Sequence, residues 1–205
     1  LVVFGAFTRL TDSGLGCPDW PGCYGSTSPL GAQVHIQAAE TAMPSGPVTQ
    51  GKAWIEMIHR YFATSLGGVI TLTMLAAWWK RCRGKPDGPS PLWATMCFAW
   101  VCLQGLFGAL TVTMKLYPAI VTLHLLGGYL GLVLLSAQVQ TASPERVRLT
   151  SALHVSAWAL FALLVVQSAL GGWVSTNYAV LACSDFPHCQ GSWWPTMDFA
   201  NGFSV

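Results

Sequence analysis

The sequence has 205 residues, of which 53% are apolar and only 9% are charged. An ordinary soluble domain carries about 25% charged residues, so this composition is typical of a membrane protein. The formal net charge of +2 is too small to indicate a nucleic-acid partner, and the ten tryptophans fit a chain that crosses two membrane interfaces. The chain starts with Leu1 and not with Met, and we expect it to be part of a longer protein.

Apolar runs predict the helices in chain order. Residues 1–8 predict the end of a helix, and the segment HIQAAETAM, which starts at His35, predicts a short helix on the outer surface. Four long charge-free runs follow, and each can hold a spanning helix of about 20 residues. We place these helices near 54–79, 92–113, 119–140 and 150–174. The predicted fold is an all-α polytopic membrane protein with a four-helix transmembrane bundle.

Basic residues predict the orientation of this bundle. They concentrate in two connections on the same side of the membrane, with Lys80, Arg81, Arg83 and Lys85 in one and Arg146 and Arg148 in the other. Positive residues favour the cytoplasmic side. We therefore expect the loops 9–53, 114–118 and 175–205 on the outer side.

The chain contains an internal repeat. An offset of 166 aligns GAFTRLTDSGLGCPDWPGCYG (5–25) with GGWVSTNYAVLACSDFPHCQG (171–191) without a gap, and both cysteines match. We predict an N-terminal half over 1–148 and the start of a second repeat, one helix and its outer loop, over 149–205. The fold would then be one half of a duplicated eight-helix architecture, since parallel repeats are common in membrane proteins.

Two histidines are the most informative candidates for a binding site. His59 and His124 each follow an outward loop and lie about five residues into a helix that runs inward, so we expect them at similar depth. Neutral imidazole is a good iron ligand, and facing helices can hold a haem between axial ligands. The glycine pairs 67–68 and 127–128 that follow would leave room for a macrocycle. The alternative is two interfacial histidines bonded to backbone or water.

Glu56 and Arg60 flank the first histidine. Glu56 lies one turn before His59, and Arg60 is its neighbour. In one interpretation Glu56 is a carboxylate beside a cofactor, and Arg60 is a cation that binds haem propionates. The other is an acid favoured by the helix N-terminus and an interfacial arginine that extends towards water.

Four cysteines form two C-x5-C pairs in outward loops, Cys17 with Cys23 and Cys183 with Cys189. An oxidising compartment favours a disulfide in each pair. A redox-active dithiol and a metal site are the alternatives.

The motifs together resemble a known family. The segments GAFTRLTDSGLGCPDWPGCYG, WIEMIHRYFATSLGG and LHLLGGYLGL are similar to those of the haem A synthases of bacterial and mitochondrial membranes, over nearly the whole chain. The resemblance implies eight helices in two similar halves and a multi-pass protein of the cell inner (plasma) membrane. It also implies an oxidoreductase that converts a methyl group of haem O to the formyl group of haem A, with oxygen from water, for terminal oxidases.

The resemblance further implies roles for individual residues. His59 and His124 would bind haem iron, Glu56 would be catalytic, and Cys17 and Cys23 would match the outer-loop cysteine pair of the bacterial members. Arg60 is a candidate cofactor-binding residue from its place beside His59. Haem O would be the substrate, and a haem b cofactor would belong to the C-terminal half. The lipid bilayer, haem O synthase and an electron acceptor are the partners expected.

Two other classes fit parts of the sequence. One is a bis-histidine cytochrome b-type electron carrier, which would leave its haem unchanged. The other is a membrane thiol oxidoreductase, which would need Cys17 and Cys23 but not His59. The histidine-bearing helices and the E-x-x-H-R motif argue against the thiol oxidoreductase.

Overall fold

The computed structural model describes residues 1–85, 88–142 and 149–198, and this part of the chain is helical. The helices are α1 Val2–Leu10, α2 Gln33–Ala42, α3 Gln50–Cys82, α4 Pro91–Thr113, α5 Pro118–Ala142 and α6 Ser151–Thr176, followed by a 3-10 turn at Ala179–Leu181. The helices α3 to α6 are long and apolar enough to cross a membrane. The predicted all-α polytopic membrane fold is therefore confirmed.

Local signals explain where the spanning helices begin. The hydroxyls of Thr49 and Thr150 accept hydrogen bonds from the N–H groups of Lys52 and Leu153, which caps α3 and α6. Proline occupies the first turn of α4 and begins α5, where its missing N–H costs nothing. Helix α3 is longer than the apolar run that predicted it, because its capped first turn and its basic last turn both lie outside that run.

Successive helices pack side by side, α3 against α4, α4 against α5 and α5 against α6. Among the described residues α3 and α5 make no close backbone contact, whereas α1 contacts both of them. The backbones of α3 and α5 therefore stand apart, and α4 and α1 lie on the two sides of the space between these backbones. We call the end of the bundle at which α3 and α5 begin the disulfide end.

The opposite end carries the basic connection after α3. Arg83 stacks its guanidinium over Trp79, 4.2 Å from the ring centroid. The second basic loop, with Arg146 and Arg148, lies outside the described residues.

The connection from α1 to α3, residues 11–49, folds into a cap on the first turns of α3. It includes α2, the short helix predicted around His35. A small core joins this cap to the bundle and consists of the buried residues Cys17, Cys23, Ala32, Ile36, Ala53 and Met57. The cap thus has a small buried core, as a soluble domain does, whereas most of the surface of the spanning helices is exposed.

The two cysteine loops have the same local structure. The chain forms both disulfides, Cys17–Cys23 and Cys183–Cys189. In the first loop the carboxylate of Asp19 accepts the N–H groups of Tyr24 and Gly25. In the second loop Asp185 does the same for Gln190 and Gly191, and these hydrogen bonds lower the pKa of Asp185. Because the second loop is largely exposed, these local interactions define its structure without packing support.

The repeats also touch each other at equivalent positions. The guanidinium of Arg9 donates to the carbonyl of Ser175, and the hydroxyl of Tyr178 donates to the carboxylate of Asp12 at 3.1 Å. Both pairs are separated by 166 residues, which is the offset of the repeat. Contacts between equivalent positions arise at a two-fold axis, and here such an axis would run between α1 and α6. The division at residue 148 stays a prediction, since 143–148 lie outside the described residues.

Candidate functional site

His59 faces α1 from the part of α3 nearer the disulfide end. Its ring stacks on Phe4, with the centroids 6.1 Å apart and the planes 5° from parallel. A Cβ atom added to Gly5 would lie 3.2 Å from Cε1 of His59, so a larger residue would push the imidazole. Helix α1 therefore contacts one side of this ring, and Gly5 lets the helix approach it closely.

His124 lies on α5 and faces α4. A Cβ atom added to Gly108 would lie 3.5 Å from Cε1 of His124, which is ordinary contact. The rings of His59 and His124 are close enough for their charges to interact. The two predicted ligands thus lie on the helices that border the space between α3 and α5.

Both imidazoles carry an unsatisfied nitrogen. Nδ1 of His59 and Nδ1 of His124 are buried and have no hydrogen-bond partner among the described residues. Buried polar atoms without a partner are uncommon because each costs free energy. Two such atoms on the two helices that border this space are consistent with a site that a ligand completes. The residues present therefore fit a haem, whose iron His59 and His124 would hold.

The glycine pairs that follow the histidines have different surroundings. An added Cβ atom at Gly67 or Gly68 would meet no other atom within 4 Å, so α3 leaves room there. At Gly127 it would lie 2.1 Å from the side chain of Gln104, and the carbonyl of Gly127 accepts the indole N–H of Trp100 at 3.0 Å. Close packing against α4, and not room for a macrocycle, accounts for Gly127.

Glu56 and Arg60 are directed at the cap. The N–H of Cys17 donates to Oε2 of Glu56 at 2.8 Å, and Arg60 donates to Oε1 of the same carboxylate. The residue Glu56 is only 4% exposed. The guanidinium of Arg60 also donates to carbonyls of the first cysteine loop, those of Cys17, Asp19, Pro21 and Gly22.

Helix geometry explains why this pair faces away from α1. Each residue turns an α-helix by about 100°, so Arg60 lies about 40° from Glu56 on one side and His59 lies about 60° from Glu56 on the other, which leaves Arg60 and His59 about 100° apart. The pair therefore meets the cap while His59 meets Phe4 and Gly5. The sequence did not indicate these partners of Arg60, because they are carbonyls about 40 positions away. The catalytic role of Glu56 and the cofactor-binding role of Arg60 stay predictions.

The other histidines lie apart from the pair. His35 stacks on Tyr24 in the cap, His154 accepts the indole N–H of Trp158, and His188 packs on Trp193. The sequence analysis singled out none of these three as ligands, and each has an aromatic neighbour that accounts for it. Within the described ranges no three His, Cys, Asp or Glu side chains gather as a metal ion site.

Gly16 offers a direct test of how closely the cap sits on α3. An added Cβ atom would lie 2.5 Å from the carbonyl carbon of Lys52 and 2.6 Å from the nitrogen of Ala53. We expect Gly16→Ala to loosen the cap by about 1–3 kcal/mol, the usual cost of overpacking. The measurement is the rate at which a water-soluble reductant opens Cys17–Cys23, followed by alkylation and mass mapping.

Gly51→Ala is the matched control, because an added Cβ atom there meets nothing within 4 Å. The control should react as the wild type does. Equal rates for Gly16→Ala and Gly51→Ala would mean that the cap does not rest on α3 as described.

The fold and the site together define a polytopic helical membrane protein with a disulfide-bonded cap and a pair of half-buried imidazoles, whose Nδ1 atoms have no hydrogen-bond partner in the described part of the chain. Among known proteins, the profile of the COX15-CtaA family, described as cytochrome oxidase assembly protein, matches residues 1–205 of this chain. The chain belongs to this family.

Individual relatives agree with this assignment. The chain is 41% identical to a protein named heme A synthase from Shewanella oneidensis, over 100% of this chain and 61% of the relative. It is 28% identical to one from Halalkalibacterium halodurans, over 94% of this chain and 60% of the relative, and 30% identical to one from Methylobacterium nodulans, over 96% and 59%. The chain thus spans about three-fifths of the length of these relatives. No solved structure matches it.

Proposed function

We propose that the protein of which this chain is part is a haem A synthase. The observation that carries the proposal is the pair of Nδ1 atoms of His59 and His124, which are buried and without a hydrogen-bond partner among the described residues, on the two helices that stand apart across one space. Relatives that align with the whole chain are named heme A synthase, and the name supplies the reaction class. The described fold is membrane-spanning, as expected of an enzyme with a lipid-soluble haem substrate.

In this proposal His59 and His124 hold the iron of haem O. When bound, the macrocycle supplies the methyl group that is oxidised. Conversion of that methyl group to a formyl group takes up the oxygen of one water molecule and releases four electrons and four protons, so an electron acceptor is required as a partner. A haem b cofactor would belong to the C-terminal half, and haem O synthase would supply the substrate.

Glu56 is proposed as the group that orients or deprotonates the water. The proposal for this residue rests on the family resemblance. Both carboxylate oxygens have partners, but a carboxylate offers about four acceptor positions, so it can hold a further hydrogen bond. Arg60 is proposed to face the propionate side of the macrocycle as well as the cap.

We also propose that the protein lies in the inner (plasma) membrane with the disulfide end outward. The basic connection after α3 is at the opposite end, which is the side that positive residues favour. Disulfides are stable on the outer, oxidising side.

The experiment is expression of the full-length protein in a host that makes haem O but no haem A. Pigment extracted from the membranes should contain a haem with one oxygen more and two hydrogens fewer than haem O, identified by mass. The matched control is the same host with an empty vector. Haem O that is bound and left unchanged would contradict the proposal and indicate a bis-histidine electron carrier.

A further inference from the structure

Two charged side chains of α3 hold the first cysteine loop. Arg60 reaches four of its carbonyls, and Glu56 takes the N–H of Cys17. The second loop has the same disulfide and the same aspartate turn, and it lies largely exposed. The disulfide and the aspartate turn define the local structure of each loop, and in the first loop Glu56 and Arg60 join that structure to α3.

What the pair does is attach the loop to the helix that carries His59. Arg60 is the neighbour of His59 in α3, and its side chain is only 11% exposed. Glu56, one turn earlier in α3, accepts a hydrogen bond from the guanidinium of Arg60. The N–H of Cys17 donates to the other oxygen of the same carboxylate. A planar guanidinium can donate to several acceptors at once, and a lysine ammonium has no such fork.

The attachment extends to α1. Only six residues lie between the end of α1 at Leu10 and Cys17, and Gly16 is pressed onto the backbone of α3. Helix α1 carries Phe4 and Gly5, which contact the ring of His59. Holding the loop at Cys17 therefore holds α1, and α1 sets the orientation of the imidazole.

We propose that Arg60, oriented by Glu56, is a positioning residue for the haem site, which ties the cap and α1 to α3 and thereby fixes the ring of His59. The inference rests on the proposed function for the identity of the ligand, but the attachment itself does not depend on it. It adds to the proposed role of Arg60, because the main partners of its guanidinium are loop carbonyls.

The test uses the full-length protein in membranes and the variant Arg60→Gln. Under a limiting amount of water-soluble phosphine reductant, Cys17–Cys23 should open at least about ten-fold faster than in the wild type, the change expected when one hydrogen bond to a charged group is lost from a local opening equilibrium. Cys183–Cys189 in the same molecules should keep its wild-type rate and is the internal control. Arg81→Gln, at the far end of α3, is the matched control and should leave both rates unchanged.

A second measurement connects the attachment to His59. In haem-loaded protein the low-spin electron paramagnetic resonance signal should shift in Arg60→Gln and not in Arg81→Gln, because the imidazole plane has turned. Arg60→Lys should restore neither the signal nor the reduction rate fully. If Arg60→Gln does not accumulate, Arg60→Lys replaces it in both measurements, with the same expected direction.

Each result of these two measurements tests a different part of the proposal. An unchanged rate for Cys17–Cys23 would overturn the attachment, and so would an equal acceleration of both disulfides, which would mean global loosening. A faster reduction with an unchanged haem signal would overturn the link to His59. Absence of haem from the wild type would contradict the proposed function and leave the reduction measurement valid.

Discussion

Replacing His59 or His124 by alanine in the full-length protein is expected to eliminate haem A formation and to remove one haem signal. In the proposed site each substitution would delete one of the two ligands of the haem iron, and the remaining imidazole would not hold the haem by itself. We expect product to fall by at least about 10²-fold, on the scale seen when a cofactor ligand or its support is lost. The measurement is haem extraction combined with the reduced-minus-oxidised spectrum of the membranes.

His154→Ala is the control for this pair, since His154 is exposed and its Nε2 is bonded to Trp158. This variant should retain both haem content and product. Full haem A formation in His59→Ala or His124→Ala would end the assignment of this pair as ligands. Loss of one signal from either substitution, with the same spectral component missing, would mean that the two residues share a single haem.

Much of the fold could be predicted from the sequence, because the spanning helices are defined by local composition. A run of about 20 apolar residues has few other structures in a membrane. The bounds of α4 and α5 follow the apolar runs closely, since Pro91 and Pro118 mark their starts. Helix α3 extends past its apolar run, because a capped polar turn continues a helix as readily as an apolar one.

The partners of the site residues could not be predicted in the same way. The spacing of Glu56 and His59 indicated a shared helix face, but spacing alone does not say which neighbour that face meets. Arg60 is bound by backbone carbonyls, which every residue has, so no sequence pattern marks them.

The role of Glu56 has the second large expected effect. In the full-length protein we expect Glu56→Gln to retain haem at the His59 site and to lower the conversion of haem O by about 10²–10⁴-fold, as for loss of a positioned acid or base. Glutamine keeps the shape and an acceptor for the N–H of Cys17 but cannot take a proton. The measurement is the rate of haem A formation at saturating haem O, together with the bound haem spectrum.

Arg60→Gln separates the two roles that Glu56 could have. It breaks the attachment of the cap but keeps the carboxylate, which the N–H of Cys17 still holds at Oε2. If Glu56 acts as a base, Arg60→Gln should lower the saturated rate at least about ten-fold less than Glu56→Gln does, because the group that moves the proton remains. Its main effect should be a higher KM for haem O, since a loosened cap and α1 weaken binding. Equal losses in the two variants would assign the whole effect of Glu56 to the attachment. Wild-type product from Glu56→Gln would remove its catalytic role and leave Glu56 as the residue that holds Arg60 and Cys17 together.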